Sequence, residues 1–357
     1  MSINGKKTLC GSKLNEDKPL IEQPILSEEK KPAKKIPLQV YFLIVIAMVM
    51  TSFASILIRL AGKDTTRFGI EPADASVIAF WRLAFATLGM FIGALFTRNL
   101  KEFKKINFKI DMPLLTLSGL FLAIHFITWN LSLQMTTVAS SITIVYLMPL
   151  FTLIFAFFFL REKVSWWQFG IIILTICGAI IVGVADLITE GWGTVTGDLL
   201  ALAGGISGAA YFVIGRKKRE RLDIFSYATV VYGICTLFIL LYLIIYNFGF
   251  DKIVIVKLNW QHYVFFALLA IGPSCLGHSL YNYSLGYVKA PIITITALGE
   301  MFGATLLAYA IFKETPTHWS SYIGMFLVAI GIILLVFLEN KEIKKQTKKE
   351  IIAKKSS

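Results

Sequence analysis

Between residues 39 and 338 the chain alternates apolar runs of roughly twenty residues with short polar links. That run length matches the span of a helix crossing the hydrocarbon core of a bilayer. The pattern predicts ten membrane helices, spans 1 to 10, near 39–61, 73–97, 112–133, 137–160, 165–187, 197–215, 226–248, 261–284, 289–312 and 317–338. The sixth is the weakest, because Gly204, Gly205, Ser207 and Gly208 dilute its apolar character. With links this short, the expected fold is an all-α polytopic membrane bundle without a soluble domain. Residues 1–38 lack an apolar run and read as a disordered tail; residues 339–357 read as a basic tail.

The polar positions inside the apolar runs repeat. Trp129 to Lys163, WNLSLQMTTVASSITIVYLMPLFTLIFAFFFLREK, aligns without a gap on Tyr281 to Thr315, YNYSLGYVKAPIITITALGEMFGATLLAYAIFKET, 152 residues later. Trp129-Asn130 meets Tyr281-Asn282, Ser132-Leu133 meets Ser284-Leu285, and Glu162 meets Glu314. The offset carries span 3 onto span 8 and span 4 onto span 9, five helices on. Five is odd, so the two copies must enter the membrane in opposite senses. The expected architecture is therefore two inverted five-helix repeats, residues 39–188 and 189–338, the arrangement that lets two halves exchange inward-open and outward-open states.

Composition supports the membrane reading: 56% of the 357 residues are hydrophobic, 16% are charged, and the mean hydropathy is +0.71. A soluble domain carries about a quarter charged residues. The net charge of +13 would ordinarily raise nucleic acid as a partner. Here 28 of the 35 Lys and Arg fall in the tails and alternate links on one side, and 5 fall on the other. The positive-inside bias accounts for that distribution and places both termini in the cytoplasm. No nucleic-acid partner is expected. The cysteines Cys10, Cys177, Cys235 and Cys275 stand singly, so neither a metal site nor a disulfide framework is read.

In order and spacing, several segments resemble the drug/metabolite transporter superfamily, in particular its EamA type with ten helices in two repeats. They are VIAFWRLAFATL (77–88), the WNLSL…TTVASSITIVYLMPLF stretch with REK after it, GDLLALAGGISGAAYFVIGRKKR (197–219), GHSLYNYSL (277–285) and LGEMFGA (298–304). Members often have Glu-Pro in span 9. Here Glu300 is followed by Met301, and the first half has Met148-Pro149 at the equivalent place. The resemblance implies transport of a small organic molecule, with amino acids and related nitrogenous metabolites foremost.

Ionisable groups within the bilayer are costly, so each is a candidate for function. Glu300, central in span 9, can meet a cationic substrate group or carry a proton. Arg82, in the middle of span 2, can hold an anionic group, and an Arg82–Glu300 pair would neutralise both. Arg59, near the end of span 1, is expected to snorkel to the interface. His125, Trp129 and Ser132 share one face of span 3; His278, Tyr281 and Asn282 share one side of span 8. Thr143 and Tyr146, three apart on span 4, can line the same cavity, with Tyr211 and Tyr232 as weaker candidates. Pro149 and Pro273 break helix hydrogen bonding. Gly89/Gly93, Gly204/Gly208 and Gly299/Gly303 allow close helix approach. Asp198, Glu162 and Glu314 sit at span ends, where helix-end or solvent roles suffice.

These residues favour a secondary transporter working by alternating access. It would sit as an integral multi-pass protein of the cell membrane, with a small-molecule substrate, the lipid bilayer around it, protons through Glu300, and no cofactor. Monomer and homodimer both stay open. An intramembrane enzyme is the alternative, but HExxH, GxSxG and glycine-rich phosphate loops do not occur. A non-transporting receptor or scaffold is a third reading, and it has no need of an inverted repeat.

Overall fold

A computed structural model describes residues 37–341 apart from 162–164, 192, 251–257, 298, 317, 332, 335–336 and 339–340. The expected tails, residue 341 and the first residues of span 1 apart, and Glu162 lie outside the described residues. Among the described residues the chain is helical, with no strand. Spans 1 to 4 are Leu38–Ala61, Ala75–Phe96, Phe108–Met135 and Val138–Leu160. Spans 6 to 8 are Thr194–Arg219, Ile224–Ile245 and Trp260–Ser284, and these seven are long and apolar enough to cross a membrane. Span 5 is Trp166–Glu190, span 9 comprises Ala290–Thr296 and Gly299–Phe312, and span 10 contains Trp319–Gly331.

Local chemistry sets the helix ends. Asp74 accepts from the Ser76 N–H at 2.7 Å to start span 2, and Asn107 accepts from Lys109 and Ile110 to start span 3. Thr137 accepts from Ser140 to start span 4 directly after span 3, which makes the tight hairpin between them. Spans 4 and 9 both stop on a non-glycine residue in the left-handed region, Arg161 (φ 55°) and Lys313 (φ 58°). Those two are also 152 positions apart, so the repeat extends to its backbone conformation.

The helix contacts follow a twofold pattern. The largest contacts join span 3 to span 6 and span 1 to span 8, with substantial contact of span 2 on span 7 and span 4 on span 9. Spans 5 and 10 meet backbone to backbone: a Cβ added at Gly324 would lie 2.5 Å from the Gly178 carbonyl. Exchanging the two repeats maps 3·6 onto 8·1 and leaves 2·7, 4·9 and 5·10 unchanged. Two inverted five-helix repeats have this contact symmetry.

Two sequence readings are extended and one, that of Arg59, is corrected. Span 6, the weakest by hydropathy, runs for 26 residues. Its small residues form a close-packed face instead: a Cβ at Gly205 would lie 2.7 Å from the Val145 carbonyl oxygen. Span 9 breaks between Thr296 and Gly299 although no proline follows Glu300. Gly299 sits there against Met48 of span 1, whose side chain would have to shift to admit a Cβ. Arg59 does not snorkel. It is buried, ion-paired with Asp64 at 2.6 Å and with Glu314 from the end of span 9.

Glu314 also accepts from the Val138 N–H at 2.7 Å, capping span 4, so its role exceeds that of a helix end. On the same face Asp198 of span 6 accepts from Ser140 at 2.9 Å, and Lys63 donates to the Thr136 carbonyl. Burial, and next the charge of Arg59, hold the Lys63 ammonium below the usual lysine range. On the opposite face Asp111 of span 3 is paired with Lys218 at 3.0 Å and with Arg221, beyond the end of span 6. Each face thus has charged links between the repeats.

Candidate functional site

Between these two faces the breaks in spans 4 and 9 meet. Span 4 leaves α-helical geometry at Tyr146–Leu147 and resumes at Met148-Pro149, where Pro149 occupies a first-turn position that needs no N–H bond. Around the breaks lies a cavity lined by His125 and Trp129 (span 3), Val145, Tyr146 and Met148 (span 4), Phe212 (span 6), His278 and Tyr281 (span 8), and Ala297 and Glu300 (span 9). Trp129/Tyr281, Val145/Ala297 and Met148/Glu300 are pairs at the repeat offset. The cavity therefore straddles the twofold axis. Its free volume is about 20 Å³, room for roughly one water, so it is closed around itself.

Glu300 accepts a hydrogen bond from the Tyr146 hydroxyl, which ties the two broken spans together across the cavity. Thr51 of span 1 stands beside both Glu300 and Tyr281. The His125 Nδ1 lies 2.8 Å from the Gly204 carbonyl, beside Gly208, where a Cβ would come within 2.9 Å of that nitrogen, and the His125 ring stacks on Trp129 at 5.8 Å. The His278 ring stacks on Phe212 at 6.3 Å and meets Phe126 edge-on at 5.4 Å. His278 closes a stretch of π-helical turns, Ala270–His278, that contains Pro273. Such bulges redirect side chains and recur at functional sites.

Arg82 lies just behind this wall. It is fully buried, with its guanidinium carbon 4.3 Å from the Phe126 ring centroid and its Nε donating to Ser274 Oγ at 2.8 Å. Both of its Nη atoms lack a hydrogen-bond partner among the described residues, as do Trp129 Nε1 and His278 Nδ1. The Arg82–Glu300 ion pair left open by the sequence does not form, although the two charges lie within electrostatic reach. Buried donors left unpaired cost about 1–3 kcal/mol each. An acceptor-bearing guest that enters the cavity would recover that cost.

The structure thus gathers His125, Trp129, Tyr146, His278, Tyr281 and Glu300 at one cavity, with Arg82 adjacent. It places five other candidates elsewhere. Ser132 bonds Ser141 at 2.8 Å across the span 3–4 hairpin, and Thr143 bonds its own helix at the Ala139 carbonyl. Asn282 joins Tyr211 of span 6 to the His278 carbonyl. Tyr232 bonds Ser279. Sequence reasoning missed Thr51 and Phe212, because spans 1 and 6 fall outside the ungapped repeat. It also missed Val145 and Ala297, which carry no polar group, although the offset alone pairs the two.

Broken helices meeting at a buried polar cavity on the axis of an inverted repeat define a multi-pass membrane transporter. The chain belongs to the EamA-like transporter family, whose pattern it matches over residues 38–184 and again over 195–337. It is similar to solute carrier family 35 member G1 of Mus musculus, with 25% identity over 224 residues, 58% of this chain and 57% of that protein. It also resembles the uncharacterized transporter YcxC of Bacillus subtilis, with 27% identity over 33% of this chain and 38% of that one. The chain thus spans about half the length or less of the curated relatives it matches. A crystal structure that is 15% identical superposes with a TM-score of 0.60, covering 85% of this chain and 98% of that one, and shows the fold alone.

Proposed function

We propose that this protein is a secondary transporter that moves a small organic metabolite, an amino acid or related nitrogenous compound, by alternating access between its two repeats. One observation carries the reading: the cavity on the repeat axis holds a carboxylate, Glu300, close to a buried guanidinium, Arg82, without the two being paired. A guest with both an ammonium and a carboxylate complements such a site. Glu300 with Tyr146 receives the cation; Arg82, Trp129 and His278 offer unpaired donors to the anion. In the same reading Glu300 takes up the proton when transport is coupled, repeats 39–188 and 189–338 rock against each other, and both termini lie in the cytoplasm of the cell membrane.

Flux into proteoliposomes measured with a panel of labelled amino acids, amines and carboxylates tests this. Saturable uptake of amino acids is expected, and absence of flux for every solute by well-folded protein would overturn the reading. Thiol labelling of Met135→Cys and Tyr287→Cys, both at exposed positions, tests the inversion. The two should label from opposite sides of the membrane; labelling from one side contradicts inverted repeats.

A further inference from the structure

A groove of about 290 Å³ opens on the outer surface between spans 3 and 4 of the first repeat and span 6 of the second. Leu114, Phe121, Phe155, Phe159 and Val213 are among the side chains that line it, and its one polar lining residue is Lys217. Lys217 belongs to the run Arg216–Arg219 that ends span 6. Its three neighbours are engaged: Arg216 with the Leu285 carbonyl, Lys218 with Asp111, and Arg219 with the Asn282 carbonyl. Lys217 is exposed and has no ion pair or hydrogen bond among the described residues. Arg161 follows Leu160, another residue of the groove wall, and it is exposed and equally unpaired.

We infer that this groove is a binding site for one anionic phospholipid, with an acyl chain along the apolar wall and the phosphate between Lys217 and Arg161. Charge decides the occupant. A zwitterionic lipid fills the apolar wall equally well but leaves two cations uncompensated, whereas an anionic headgroup neutralises them. Basic residues at the membrane surface each contribute about 1 kcal/mol towards anionic lipid, close to a fivefold effect per residue. The site bridges the repeats: Phe155 and Phe159 belong to the part of span 4 beyond its break, and Val213 follows Phe212 of the central cavity. A bound lipid would therefore wedge between elements that must slide when the halves rock.

The test is retention of phosphatidylglycerol against phosphatidylcholine of identical chains, read by native mass spectrometry of the full chain released from mixed-lipid nanodiscs. One retained phosphatidylglycerol is expected for the unaltered protein. Lys217→Gln should lower its retention relative to phosphatidylcholine roughly fivefold, and Lys217→Gln with Arg161→Gln roughly twenty-five-fold. Leu117→Trp, which fills the groove from its wall, should displace both lipids while leaving the cations in place. Equal retention of the two lipids by the unaltered protein would overturn the inference, as would an unchanged preference in the double variant. Both glutamine substitutions are at exposed positions, so a folding defect does not mask the answer.

Discussion

At the scale of single residues the chemistry concentrates on Glu300. Its position in an otherwise apolar helix was legible in the sequence, because a carboxylate within the bilayer is costly unless it serves a purpose. Its partner was less so: Tyr146 lies 154 positions away, and an aromatic in a membrane helix ordinarily reads as packing. If Glu300 carries the proton, Glu300→Gln should abolish the pH dependence of transport measured in proteoliposomes. PH dependence that survives this change would place the proton elsewhere. Tyr146→Phe removes the hydrogen bond from the Tyr146 hydroxyl to Glu300, and a bond to a charged group is worth roughly 1.5–3 kcal/mol. Cargo affinity in that variant should fall about tenfold or more, read from the concentration dependence of uptake.

At the scale of elements, glycine positions decide how close the helices come. Span 6 looked weak because hydropathy scores side chains, and its glycines have none; their contribution is the approach they allow. Gly205 faces the Val145 carbonyl, where a methyl group would lie 2.7 Å from a backbone atom that cannot rotate away. Gly205→Ala should therefore destabilise the protein by about 1–3 kcal/mol and displace the break in span 4. Thermal unfolding in detergent, compared with Gly170→Ala, where nothing lies nearby, checks the first effect. The break in span 9 was not legible for a related reason. Proline marks a break in sequence, but here the interruption accompanies the packing of Gly299 on Met48, a contact between residues 251 apart.

At the scale of the whole molecule, the spans and their inverted duplication were readable, since both follow from run length and a fixed offset. The links between the halves were not. Arg59 meets Glu314 across 255 positions, and from sequence alone an arginine at a helix end has a cheaper course in reaching for the interface. Glu314→Gln removes a charge from a buried network in which Asp64 still faces Arg59. The expected cost is about 2 kcal/mol, below the 3–5 kcal/mol of stranding a buried charge entirely. Because the link spans the two repeats, the variant should also expose the cavity from that face, seen as faster thiol labelling of Trp129→Cys by a membrane-impermeant reagent added on that side. Unchanged labelling would show that Glu314 holds the fold without controlling access.

Among the differences between the two halves one is a charge: where the second presents Glu300 to the cavity, the first presents Met148. Interchanging the two aqueous compartments is therefore not an operation that leaves this molecule the same. A carrier with matched halves would show one half-saturation constant whichever side the cargo came from. If the halves alternate as proposed, cargo approaching from one compartment reaches the acid through a different sequence of partners than cargo from the other. The two constants should differ, with zero-trans flux measured in each direction as the comparison, and Glu300→Met should bring them together. The duplication thus gives the protein two similar doors and, through a single carboxylate, a direction in which they are not alike.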